Sequence, residues 1–179
     1  KAKYVARVKE HARLDQIAKG VYYKKINGKI RACGVGWTIH SSKHDDYEKE
    51  LGWSWRIALV EDSSFEKLPN DKAKKFPLEF LKSVPIGADT DLVFKKFVIW
   101  NLSDKKEGLI YHIKDKEVVK LLKEISDTYK KSIKEEIPQE VWKKLADRAS
   151  ASASAYAYAY AYASAYVYIS ASAYVYISA

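Results

Sequence analysis

The sequence predicts an α+β fold: a mostly helical body over residues 1–148 carrying a small antiparallel β-hairpin, followed by a repetitive C-terminal tail over residues 149–179. Three observations predict it. Apolar residues recur at helical spacing along most of the body, Asn27-Gly28 separates two β-prone runs, and from Ala149 onward the pattern switches to a strict period of two.

Tyr4, Val5, Val8, Leu14 and Ile17 fit one helix from Tyr4 to Ala18, which Gly20 stops. Val21–Lys25 and Lys29–Cys33 flank Asn27-Gly28 as a two-stranded hairpin, and the second strand is expected to run on through Gly34–Ile39, where the glycines suggest a bulge or close backbone approach. Ser41 and Ser42 are natural N-caps for a helix carrying His44, Tyr47, Glu48 and Leu51, ended by Gly52. Trp53–Val60 reads as a buried helical turn, and Glu61-Asp62 with Ser63 and Ser64 as the cap of the next helix in preference to an acid–base pair. Asn70 or Asp71 caps a further helix that Pro77 kinks or restarts and Pro85-Ile86-Gly87-Ala88 breaks.

Asp89–Leu102 presents Leu92, Val93, Phe97, Val98, Ile99 and Trp100 as the apolar face of a core helix, and Leu109–Ile113 is expected to be a third short strand or an extended segment. Asp115 caps a long charged helix to Glu136 whose inward residues are Val118, Val119, Leu121, Leu122, Ile125, Tyr129 and Ile133. Pro138 opens a final helix with Val141, Trp142 and Leu145.

From Ala149 every odd position is Ala, Val or Ile and every even position is Ser or Tyr, and the octapeptide Ala-Ser-Ala-Tyr-Val-Tyr-Ile-Ser occurs twice, at 163–170 and 171–178. In a strand this alternation puts aromatics and hydroxyls on one face and small aliphatics on the other; in a helix it scatters the tyrosines round every side. The tract therefore favours stacked β-strand, with an Ala-driven helix as the alternative. Fully extended it spans on the order of 100 Å, far beyond an ordinary strand, so it must bend or pair between chains. The expected self-association residues are Tyr156, Tyr158, Tyr160, Tyr162, Tyr166, Val167, Tyr168, Ile169, Tyr174, Val175, Tyr176 and Ile177.

All 32 basic and 23 acidic residues precede the tail, so the net charge of +9 belongs to the body. The excess is lysine; arginine occurs only at Arg7, Arg13, Arg31, Arg56 and Arg148. Base and phosphate reading favour arginine, so a solubilising surface accounts for the lysines better, and nucleic acid is a weakly supported partner. Cys33 stands alone, which excludes an intrachain disulfide and makes a reducing, cytoplasmic compartment the default. No secretory signal or membrane-length apolar run is evident. The chain opens at Lys1 and contains no methionine, so its natural start is expected to lie outside this sequence.

Cys33, His40 and a carboxylate such as Asp45, Asp46 or Asp62 supply the residue types of a thiol nucleophile, although a small buried hydrophobe is the commoner role for a lone cysteine. His40, His44 and Glu48 are spaced by four, as metal ligands on one helical face would be; the serine caps separate His40 from that helix, and a solvated face is preferred. Tyr22, Tyr23, Trp37, Trp53 and Trp55 offer rings for base stacking, with core packing as the cheaper explanation. Trp37, His40, His44 and Glu48 are the candidate ligand-binding set, and the residues assign no catalytic group, metal or cofactor.

The segments His11-Ala12-Arg13-Leu14-Asp15-Gln16-Ile17, Cys33-Gly34-Val35-Gly36-Trp37-Thr38-Ile39-His40-Ser41-Ser42, Tyr47–Gly52, Leu59–Asp62, Phe65–Pro69 and Phe80–Asp89 resemble an uncharacterised family of phage, prophage and bacterial proteins. The resemblance covers about His11 to Trp100, and relatives often end in an Ala-rich, Tyr-bearing repetitive tail that reads as helical more often than as strand. It implies a phage-related origin and a modular plan, without an established activity. Relatives commonly carry a second cysteine where this chain has Trp37, a departure that argues against a metal or redox role for Cys33.

The resulting expectation is a non-enzymatic structural protein that self-associates through its tail, as a filament or high-order oligomer, and displays a basic body. The alternatives are a small-molecule or nucleotide-binding phage protein of anti-defence type and a cysteine-dependent enzyme.

Overall fold

The computed structural model describes residues 1–151 except Asp15, Tyr22, His44 and Asp45. All that follows concerns these described residues. The chain forms two compact units, Lys1–Asp91 and Leu92 onward.

The first unit opens with α1 (Ala2–Arg13), which buries Tyr4 and Val8, one turn apart. It ends five residues short of the expected limit, because Gln16 N–H turns back to the His11 carbonyl and Ile17 pairs with Ala32 in a parallel bridge. The hairpin is as expected: β1 (Tyr23–Ile26) pairs antiparallel with β2 (Lys29–Ala32), from Tyr23↔Ala32 to Ile26↔Lys29. Asn27 (φ 49°) and Gly28 (φ 78°) both take left-handed backbone, the combination a two-residue I′ turn demands.

The strand does not continue. Gly34–Ile39 is a helix, α2, with every residue buried. Cys33 is its N-cap, and its sulfur accepts from Gly36 N–H at 3.4 Å. A six-residue helix wrapped on all sides keeps no amphipathic stripe, so its β-branched and aromatic letters mimic a strand. Around it pack α1, α3 (Asp46–Leu51), α4 (Trp55–Lys67) and α6 (Phe76–Ser83), with α5 (Asn70–Ala73) between α4 and α6 in the chain.

Ser41 does not cap α3 through the expected first turn; its hydroxyl accepts from Lys43 N–H and donates to Asp46, which opens the helix. Gly52 ends it in left-handed backbone. Glu61 and Asp62 correct the expected cap: both lie in the middle of α4, with Glu61 fully buried. Pro77 does restart a helix, within the first turn of α6.

α7 (Thr90–Ser103) begins at the end of the first unit and runs into the second. Its buried apolar residues are Phe94, Val98 and Leu102, a stripe one turn apart, whereas Val93 and Trp100 of the expected face are about half exposed. Leu109–Tyr111 is a 3-10 turn and not a strand. Asp115 caps α8 (Lys116–Ser132) by accepting from Glu117 and Val118 N–H. The helix buries Val118, Leu121, Leu122, Ile125 and Tyr129 and stops before Ile133, which is exposed.

Pro138 precedes α9 (Gln139–Ala151), and its carbonyl accepts from Val141 N–H. Trp142 packs on Tyr129 with ring centroids 4.7 Å apart, and Arg148 pairs with Glu124. α9 carries on through Ala149, Ser150 and Ala151, with Ala149 buried. The first alternating residues are thus helical, since extending a formed helix through alanine is easy. The self-association residues Tyr156 to Ile177 lie outside the described residues. No described helix is long and apolar enough to cross a membrane.

Candidate functional site

Four ring-bearing side chains converge where α1 meets α2. His11 belongs to the inward side of α1, three residues beyond Val8 and seven beyond Tyr4. Its imidazole stacks on the Trp37 indole with centroids 3.5 Å apart and planes at 21°. Trp37 is 3% exposed, meets Tyr23 edge-on at 5.4 Å, and donates its Nε1 proton to the Gln16 carbonyl at 3.0 Å. With its ring enclosed and its donor used, Trp37 acts as the floor of the cluster, and its face is not open to a base.

His40 terminates α2 with φ 56°, left-handed backbone at a residue with a Cβ. Arg7 Nη1 holds the Thr38 carbonyl beside it at 2.8 Å, one of the acceptors left over at a helix C-terminus. This turn brings His40 Nε2 to 3.1 Å from His11 Nε2, while His11 Nδ1 lies 2.7 Å from Gln16 Oε1. Partial burial lowers the His40 pKa, and Arg7, His11 and Lys3 push it the same way.

A second polar group lies at the other end of α2. Tyr47 Oη donates to Glu61 Oε2, both side chains fully buried. Burial raises the Glu61 carboxyl to about 8, with Asp62 adding in the same direction against the Tyr47 hydrogen bond. Burial also raises the Tyr47 hydroxyl. Gly34 is required here, since a Cβ would stand 2.4 Å from Pro77 Cγ of α6. Cys33 is fully buried; burial raises its thiol pKa strongly, with Asp62 and Glu61 contributing. A thiol held protonated is a poor nucleophile. Cys33 and His40 also cap opposite ends of α2, roughly 10 Å apart along the axis, so the expected nucleophile and base do not meet.

Of the expected ligand set, the fold joins Trp37 and His40. Glu48 is exposed on α3, separated from His40 by the Ser41–Lys43 bend, and His44 lies outside the described residues. His11 and Gln16 complete the cluster and were not singled out in the sequence. The usable signal was helical: His11 continues the Tyr4–Val8 side of α1.

In the second unit, Lys114, Lys116, Lys120 and Lys123 line a groove of about 650 Å³ with Ile110, Ile113 and Val119. Glu124 and Asp127 share its wall and are engaged by Arg148 and Lys130. A lysine lining suits a solvated or generally anion-attracting surface better than a base-reading one. No protein-family model matches the chain, and no curated protein or solved structure matches it either.

Proposed function

We propose that the chain is a structural assembly protein whose alternating tail self-associates and whose basic body is displayed by the resulting polymer or high-order oligomer. The carrying observation is the tract itself: every charge precedes Ala149, and beyond it small aliphatics alternate with Ser and Tyr in a repeated octapeptide. An uncharged, proline-free tract with two-sided alternation is suited to stacking like on like. The mount supports the same reading, because α9 is fixed to α8 through Trp142 and Arg148, buries Leu145 and leads directly into the repeats. Separation of Cys33 from His40 favours assembly over thiol chemistry, and enclosure of Trp37 favours it over nucleotide stacking.

The test compares the full chain with one ending at Ala151, which preserves α9. Sedimentation and negative-stain images are expected to show polymers or large oligomers for the full chain and monomers for the shortened one. Monomers in both would refute the reading.

A further inference from the structure

His11 and His40 stand 29 residues apart in the chain and present their Nε2 atoms to each other at 3.1 Å. With metal–nitrogen bonds of about 2.0–2.1 Å, two imidazoles on one ion have nitrogens roughly 2.9 Å apart at a right angle and roughly 3.3 Å apart at the tetrahedral angle. The observed separation falls between the two. The pair is already at the bite distance of a chelate.

The surroundings orient the His11 ring for that role and fix where His40 leaves α2. Gln16 Oε1 can only accept, so the 2.7 Å contact places the proton of neutral His11 on Nδ1 and leaves the Nε2 lone pair facing His40. A carbonyl oxygen on the remote nitrogen is the usual outer partner of a metal-bound histidine. Stacking on Trp37 fixes the His11 plane, and the left-handed turn with Arg7 on the Thr38 carbonyl fixes where His40 leaves α2. Left-handed backbone at a non-glycine residue costs energy and is concentrated at binding sites.

We propose that His11 and His40 bind a divalent transition metal of the zinc class through their Nε2 atoms, with water or an external ligand in the remaining positions. On binding, His40 passes its Nε2 proton to solvent and takes one up on Nδ1, which its exposed position permits, so the ring stays neutral. Among the described residues no group of three or more His, Cys, Asp or Glu is placed to hold a metal. The proposed site therefore has two protein ligands, and it replaces the helical His40, His44, Glu48 set suggested by spacing.

Calorimetric titration of the chelator-stripped full chain with zinc chloride at pH 7.5 tests this. The variants are His11→Phe, which keeps a ring over Trp37, His40→Asn, which tolerates left-handed backbone, and His44→Ala; circular dichroism monitors folding of each. One zinc per chain is expected, weakened at least about tenfold by His11→Phe and by His40→Asn and unaffected by His44→Ala. In the unaltered chain, zinc should shift the His11 and His40 ring signals in proton spectra and leave His112 in place, a readout independent of any variant's folding. Binding that survives His11→Phe, binding lost in His44→Ala, or no zinc uptake at about 100 μM would each overturn the proposal.

Discussion

Glu61 lies inside α4, fully buried, with its carboxyl group accepting from the Tyr47 hydroxyl. The folded carboxyl titrates near about 8 against an ordinary 4.5, so between those values the folded protein holds a proton that the unfolded chain has released. Stability consequently falls as pH rises through this window, by up to roughly 1.4 kcal/mol per pH unit. His40, whose pKa is lowered, works in the opposite direction below its ordinary 6.5, and the Cys33 and Tyr47 shifts act only at more alkaline pH. Urea unfolding between pH 7 and 8 reads Glu61 most directly, because the opposing His40 contribution fades above its ordinary 6.5: the unaltered chain should lose stability across it, and Glu61→Gln should flatten the curve. An undiminished slope in the variant would contradict this assignment.

At the scale of elements, legibility tracked whether the signal was local. Asn27-Gly28 dictates its turn by backbone sterics alone, and the hairpin register follows from it. Asp115 is equally local, its carboxylate satisfying two amides at the start of α8. Asp115→Ala should cost about 1 kcal/mol in urea unfolding and Asp115→Asn clearly less, since asparagine still accepts those bonds. α2 was illegible for the opposite reason. Its helicity depends on enclosure by α1, α3, α4 and α6 and on the close approach of Pro77 to Gly34, none of which is present in the hexapeptide itself. The Leu109–Tyr111 turn was missed likewise, because a short apolar run has the same letters in a strand and in a single helical turn.

On the scale of the whole molecule, the sequence suggested one body over residues 1–148, and the described contacts divide the chain after Asp91, at the first turn of α7. The tail joins the second unit without a break, through the last turns of α9. Leu145 and Ala149 are the last buried among the described residues, so a chain ending at Ala151 should keep the packing of α9. One ending at Pro138 removes Trp142, Leu145 and Ala149 from their packing and should lose on the order of 2–5 kcal/mol. Equal melting of these two shortened chains would show that α9 is not part of the folded unit.

The sequence by itself determined the helix-rich class, the hairpin with its turn, the caps and breaks at Asp115, Pro77 and Gly52, and the confinement of charge to residues before the tail. Those features follow from backbone sterics, local hydrogen bonds and periodicity, which act over a few residues. Only the tertiary structure decided that Gly34–Ile39 is a helix, that Glu61 is buried and that Trp37 is enclosed. It alone brought His11 to His40, because an inward-facing residue of α1 and a left-handed residue ending α2 become neighbours only when the two helices pack.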